Sequence, residues 1–193
     1  MKVIFATSNQ HKLREIKSIA LDGIEIVGLK EIGFEGELPE THETIEENSL
    51  EKAQFLSEKF GIACFAEDTG LIIDALNGEP GVYSARYAGE QATFDDNINK
   101  VLLNMRGKEN REAKFKTVIT YYSEGNYVQF EGVTEGVILK ERTGTDGFGY
   151  DPVFKPIGSE KSYAEMTLEE KNSFSHRKKS FMLFANHLKQ ITV

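Results

Sequence analysis

The chain opens with a short apolar run, Val3-Ile4-Phe5, that gives way to Thr7-Ser8-Asn9 and then to apolar residues at helical spacing, Leu13, Ile16 and Ala20. That is a strand, a turn and a helix, and the pattern constrains everything after it. A buried strand feeding an amphipathic helix belongs to sheet proteins whose helices cover the sheet. The alternation continues. A second short strand is expected at Ile24 to Leu29, and a helix from Thr44 to Phe60, where Thr44-Ile45-Glu46-Glu47 has capping-box form and Ile45, Ser49, Ala53, Leu56 and Phe60 recur at helical spacing. Thr93 can cap a helix whose apolar face is Phe94, Ile98, Val101 or Leu102, and Met105. Lys114 to Ser123 reads as a long strand, with Gly125-Asn126 turning toward Tyr127 to Phe130 and a further strand at Gly136 to Lys140. Thr167 with Glu170 forms another capping box, and Phe181, Phe184, Leu188 and Ile191 mark a last amphipathic helix. Adjacent strand pairs in the second half predict an α/β fold with a mixed sheet rather than a wholly parallel one.

With 193 residues, one domain or two closely packed lobes can bury roughly 70% of the unfolded surface. The single cysteine, Cys64, lies inside an apolar run and permits no intrachain disulfide, which points to a packed thiol in a reducing cytosol. No long apolar stretch or signal-peptide pattern is found, so a soluble cytoplasmic protein is expected, with no membrane partner. A net charge of −8 opposes non-specific attraction to nucleic acid. Basic residues nevertheless gather at Lys171, Arg177, Lys178 and Lys179, enough for a small polyanion. The acidic segment between Glu31 and Glu51 reads as a solvated face.

Four segments carry residues suited to chemistry. Thr7-Ser8-Asn9 with Lys12 places hydroxyls, an amide and an ammonium at a helix N-terminus, which suits phosphate oxygens and equally suits plain N-capping by Ser8 or Asn9. Glu67-Asp68 stands between the apolar runs Ile62 to Ala66 and Leu71 to Ile73, and is read either as a metal site at a strand end or as an acidic turn in which Asp68-Thr69-Gly70 closes a hairpin. Gly144 to Pro152 frames Phe148 with Gly147 and Gly149, so the ring can be offered to a base; a ligand-free surface loop is the alternative. Ser175-His176-Arg177 precedes the last helix, where His and Arg can donate to a purine carbonyl, or else lie on the surface. No HExxH pattern, Cys/His cluster or Gly-x-Ser-x-Gly elbow occurs.

Taken in order, Thr7-Ser8-Asn9 with Lys12, Ala66 to Leu71, Pro80 to Arg86, Gly147 to Pro152, Glu170-Lys171 and Ser175-His176-Arg177 resemble, end to end, the inosine triphosphate pyrophosphatase family, also called Ham1-like. The resemblance implies a homodimeric α/β protein, a single domain over residues 1–193, in which a long mixed sheet and two lobes enclose a nucleotide cleft. It implies hydrolysis of ITP, dITP and XTP to the monophosphate and pyrophosphate, with Mg²⁺ as cofactor. Thr7, Ser8, Asn9, Gln10, His11 and Lys12 would hold the triphosphate, with Lys52 adding charge. Asp68 would be the catalytic or metal-site carboxylate and Glu40 the second metal ligand. Phe148 would stack on the purine beside Gly149, Thr69 would lie beside the nucleotide, and Lys171, His176 and Arg177, helped by Tyr150 and Asp151, would read the base edge. Two places depart from the commonest bacterial pattern, Ser8 for a frequent Gly and Glu67-Asp68-Thr69 for Asp-Asp-Ser, and Asp146 next to Gly147 is less usual. A nucleotide sensor without chemistry and a nucleic-acid binder are the other classes; the acidic pair with Glu40 speaks against the first, and the acidic balance against the second.

Overall fold

A computed structural model describes residues 1–191; Thr192 and Val193, the end of the expected single domain, lie outside the described residues. Strand β1 (Lys2–Ala6) leads into α1 (Gln10–Ile19), as the opening pattern requires. Strand β2 is shorter than expected, Glu25–Val27, because Leu29–Ile32 turns into a 3-10 helix closed by Gly33 at φ 72°. Helix α2 (Ile45–Phe60) starts where Thr44 accepts the Glu47 N–H and stops at Gly61, whose left-handed φ of 64° ends the helix.

Next comes β3 (Cys64–Ile73), ten unbroken residues. This corrects the placement of Glu67-Asp68 at a strand end or turn: both lie in mid-strand. The short β4 (Pro80–Gly81), α3 (Phe94–Asn104), β5 (Glu112–Ser123) and β6 (Asn126–Ile138) follow. The strands expected at 127–130 and 136–140 are one strand, β6. Its link to β5 is Glu124-Gly125, both with positive φ, the two-residue connection whose twist suits a hairpin. Strand β7 (Phe154–Pro156), α4 (Leu168–Phe174) and α5 (His176–Ile191) complete the chain.

Among the described residues seven strands form one sheet in the order β2-β1-β3-β5-β6-β7, with β4 on β3. It is mixed: β1 runs parallel to β2 and β3, whereas β3–β4 and β6–β7 are antiparallel. Contacts divide the chain into two compact units, one of residues 1–68, 117–132 and 177 onward, the other of residues 69–116 and 133–176.

In the first unit, the two faces of the sheet are covered differently. Phe5 and Phe65, paired across β1 and β3, stack at 4.5 Å and pack with Ile16 of α1 and with Phe181, Phe184 and Leu188 of α5. Ala6, Cys64 and Ala66 pack instead with Ala53 and Leu56 of α2. Ser49 lets α2 approach closely, its hydroxyl donating to Val118 O at 3.0 Å and accepting from Thr120 at 2.8 Å. Burial pushes the Cys64 thiol up to about 12, as for a packed and unreactive group.

The second unit has its own core: Leu71, Ile73, Ile98, Val101, Met105, Phe115, Phe154 and Tyr163. Phe94 of the expected α3 face is exposed, as is Ile191 on α5. Gly136 explains why β6 continues past a glycine. A Cβ there would meet Lys155 O and the Phe154 ring, both at 2.5 Å, so only hydrogen fits where β6 pairs with β7. Gly136→Ala is expected to cost about 1–3 kcal/mol. Urea unfolding should show a lower midpoint at unchanged slope, and an unaltered midpoint would refute this packing account.

Candidate active site

In β3, successive side chains point to opposite faces. Glu67 therefore shares a face with Phe65, toward α1 and α5, and Asp68 shares the other with Ala66, toward α2. Each carboxylate meets its own cations. Arg177, in the first turn of α5, donates through Nε to Glu67 Oε2 at 2.8 Å and through Nη2 to Oε1 at 3.0 Å, while Nη1 donates to Glu15 of α1. Lys12 Nζ lies 3.2 Å from Glu67 Oε1. Burial alone would raise the Glu67 carboxyl, but Arg177 and then Lys12 overcome it and hold the group down at about 2.

On the opposite face, Lys52 of α2 donates to Asp68 Oδ1 at 2.9 Å and to Glu40 Oε1 at 2.5 Å. Burial and the neighbouring Glu40 raise the Asp68 carboxyl, against the pull of Lys52 and Lys12. Burial disfavours the charged Lys52, but Asp68 and then Glu40 reverse that, and its ammonium is held above the usual lysine value. Glu40 sits on the segment before α2, which is tied to that helix by its neighbours. Thr41 donates through N and Oγ1 to Glu51 at 2.9 and 2.7 Å, and Asn48 bonds both ways with the His42 backbone.

The start of α1 resolves the choice at Thr7 to Lys12 in part. Asn9 is the N-cap, its Oδ1 accepting from His11 N at 2.9 Å and Lys12 N at 3.2 Å, and Thr7 Oγ1 accepts from Asn9 N at 3.2 Å. Asn9 and Thr7 thus shape the turn. Ser8, Gln10 and His11 are exposed around it, and the half-buried Lys12 reaches Glu67.

Within the second unit a different cluster forms. Asp151 Oδ2 accepts from Phe148 N at 2.9 Å and from Lys171 Nζ, on α4, at 2.6 Å. The lysine ammonium lies 5.1 Å from the centre of the Phe148 ring. Gly147 is obligatory here: its φ is 79°, and a Cβ would fall 2.1 Å from Asp151 Oδ2. Tyr150, expected to touch the base, is buried and donates to Ser84 O at 2.8 Å, anchoring the loop that holds Phe148 and Gly149 half-buried. His176 is buried too, stacked 4.7 Å from Phe115 at an interplanar angle of 12°. The alternative that His176 and Arg177 are surface residues is excluded, since both are nearly inaccessible. Thr69 is half-buried in β3.

The geometry accordingly brings Lys12, Glu40, Lys52, Glu67, Asp68 and Arg177 together in the first unit, and Phe148, Asp151 and Lys171 together in the second. Sequence reading missed Glu15. Its signal was present: three residues after Lys12 and next to Ile16, it falls on the side of α1 that faces the sheet.

A family model described as the Ham1 family matches residues 3–187. The chain belongs to the Ham1 family. It is 51% identical over 180 residues to the dITP/XTP pyrophosphatase of Flavobacterium johnsoniae, covering 93% of this chain and 94% of that protein. It is 48% identical over 191 residues to the dITP/XTP pyrophosphatase of Thermoanaerobacter pseudethanolicus, covering 97% of this chain and 96% of that one. A solved Ham1 protein from Coxiella burnetii superposes with a TM-score of 0.90 at 34% identity, covering 98% of this chain and 99% of that chain. The mixed sheet flanked by helices is thus the fold of the Ham1 family.

Breaking a buried ion pair from one side strands its partner. Glu67→Gln leaves Arg177 and Lys12 undercompensated and is expected to cost about 3–5 kcal/mol of stability. Because Glu67 titrates lower in the fold than its ordinary value of 4.5, its contribution is complete above that value and is lost as pH falls toward about 2. Urea unfolding across this range should show the gap between wild type and Glu67→Gln closing as pH falls; a gap independent of pH would refute the assignment.

Proposed function

We propose that this protein hydrolyses deaminated purine nucleoside triphosphates, ITP, dITP and XTP, to the monophosphate and pyrophosphate, and so keeps deaminated purines out of nucleic acid. Family membership supports the reaction, and the pairing of Asp68 and Glu40 on one buried ammonium carries the assignment of the reacting centre. The same reading takes the protein to be a cytoplasmic homodimer. Among the described residues no helix is long and apolar enough to cross a membrane.

Mg²⁺ is the proposed cofactor, and the residues present fit it. Two hard carboxylate oxygens, Glu40 Oε1 and Asp68 Oδ1, already converge on a single cation, the Lys52 ammonium. Among the described residues no group of three or more metal-type side chains gathers, which suits an ion that takes one or two carboxylates and completes its shell with water and phosphate oxygens. When bound by Glu40 and Asp68, Mg²⁺ would supply positive charge to phosphate oxygens as negative charge develops on them.

The chain's own residues do the rest. Water adds to the α-phosphorus, the bond from that phosphorus to the bridging oxygen breaks, and pyrophosphate leaves with the electron pair. Asp68 orients the water or accepts its proton. Lys12 and Lys52 neutralise the departing pyrophosphate. Thr7 to Lys12 hold the phosphates at the start of α1, where the helix dipole favours anions.

Phe148 stacks on the purine, its backbone fixed by Asp151, and Lys171 and His176 offer donors to the base edge. Hypoxanthine and xanthine present a carbonyl at C6 where adenine presents an amino group, so donors that pair with the former face a donor in the latter. An unpaired buried group costs about 1–3 kcal/mol, enough for a substantial preference. Arg177 would bring to a base only those guanidinium N–H groups that Glu67 and Glu15 do not take.

Asp68→Asn keeps an oxygen for Lys52 and removes the base. Pyrophosphate release from ITP, dITP and XTP with Mg²⁺ is expected to fall by about two orders of magnitude or more in a protein that still folds, though at a lower unfolding temperature because the buried Lys52 keeps only Glu40 as its anion. Turnover within a few-fold of wild type would remove Asp68 from the chemistry, and orthophosphate in place of pyrophosphate would overturn the proposed reaction.

A further inference from the structure

Lys52 was expected to add charge beside the triphosphate, yet its ammonium sits on the two carboxylates assigned to the metal, 2.5 Å from Glu40 Oε1 and 2.9 Å from Asp68 Oδ1. We propose that Lys52 is a resident cation: it keeps the place between Glu40 and Asp68 and yields it only when metal and triphosphate arrive together, so that divalent metal alone binds this protein poorly. The inference rests on the reading of Glu40 and Asp68 as metal ligands given above.

The surroundings make the ammonium hard to remove by itself. The Lys52 side chain is 5% exposed and that of Asp68 is 9% exposed, so water screens their attraction little. Helix α2 is fastened to the sheet by Ser49, Ala53 and Leu56, which fixes the lysine backbone and leaves only the four-carbon stem to move. A metal ion entering alone would have to part this ammonium from both carboxylates at once. For that exchange it would gain Glu40 and Asp68, since among the described residues no group of three metal-type side chains gathers. The other buried carboxylates among the described residues of the first unit, Glu67 and Glu15, are committed elsewhere. Glu67 and Glu15 point to the opposite face of β3 and hold Arg177, with Lys12 on Glu67.

A triphosphate changes the balance on both sides of the exchange. Its oxygens complete the metal's shell and also accept the displaced ammonium, so the exchange conserves ion pairing. The same lysine then serves in two places: on Glu40 and Asp68 in the resting protein, and on phosphate oxygens in the complex. Metal and nucleotide affinities are therefore coupled through Lys52, each favouring the other.

The test is a titration of nucleotide-free protein with Mn²⁺, followed by loss of the free-ion electron paramagnetic resonance signal. Lys52→Met is expected to bind Mn²⁺ at least about tenfold more tightly than wild type, because one buried positive charge beside the ligands is gone. Lys52→Arg, which keeps the charge, should stay as weak as wild type. Adding Glu40→Gln to Lys52→Met should abolish the gain and so locate it. Equal Mn²⁺ affinity in wild type and a folded Lys52→Met protein, or a gain that survives Glu40→Gln, would overturn the proposal.

Should Lys52→Met fail to fold, the wild-type protein decides through its side-chain ¹⁵N lysine resonances. The Lys52 ammonium signal, identified by its absence in Lys52→Arg, should persist with Mg²⁺ alone and move when an α,β-methylene analogue of ITP is added with Mg²⁺. Displacement by Mg²⁺ alone would refute the proposal, as would an unmoved signal in the full complex. None of these readouts involves turnover, so failure of the resident-cation proposal and failure of the pyrophosphatase reading, which shows as absent pyrophosphate release, are separately visible.

Discussion

The two-residue period of β3 is the constraint on which the site depends. Glu67 and Asp68 are neighbours in sequence, and both are buried, yet a strand sends them to opposite faces, where Arg177 is the main counterion of the first and Lys52 of the second. Each must then be met by a cation from a different helix. An uncompensated buried carboxylate costs several kcal/mol, so the sheet and its helices have to be assembled with those cations in place. The face of Phe65 receives Lys12 from α1 and Arg177 from α5; the face of Ala66 receives Lys52 from α2. The hydrophobic contacts on each face set the depth of the helices, and the ion pairs set their register along the strand.

This division explains what could and could not be read from the chain. Helix starts were legible because capping is local: Thr44, Thr93 and Thr167 each accept the N–H three residues ahead, as their spacing foretells. The glycine-framed loop was legible for the same reason, since Gly147, Phe148 and Asp151 form one short circuit. Glu67-Asp68 was read as a strand end or a turn because two adjacent carboxylates break the apolar pattern of a buried strand. What lets the strand continue is supplied from afar: Arg177 lies 110 residues from Glu67 along the chain. Pattern reading has no access to such a partner: the place of Glu15 on the sheet side of α1 was readable, its bond to Arg177 was not. The split of β6 into two strands has the same origin, because Gly136 reads as a break until Phe154 and Lys155 are seen to leave no room for a side chain.

A common design links the two clusters although they stand in separate units. In each, a lysine that the family resemblance assigns to substrate is held on a carboxylate: Lys12 on Glu67 and Lys52 on Asp68 and Glu40 in the first, Lys171 on Asp151 in the second. The carboxylate fixes the lysine in a defined place, and for Lys171 the same carboxylate fixes the Phe148 backbone as well. Such pairs lower the cost of ordering a long side chain when the ligand binds, at the expense of the pairing that the ligand must replace.

That expense bears on which ligands the first unit can hold. In that unit's ion-paired cluster three cations, Lys12, Lys52 and Arg177, face four carboxylates, Glu15, Glu40, Glu67 and Asp68, so these seven groups together carry no surplus positive charge with which to attract an anion. A phosphate group alone meets lysines already engaged by carboxylates and gains little by competing for them. On the proposed function, a triphosphate that brings a divalent ion would release both partners at once, the lysines turning toward its oxygens while the ion takes the carboxylates. Once the bond between the α- and β-phosphates is cut, neither fragment keeps the whole set of contacts that held the lysines away from their carboxylates. On that same proposal, re-forming the internal pairs would favour departure of the products, and the ion pairs seen in the resting protein would also clear the site.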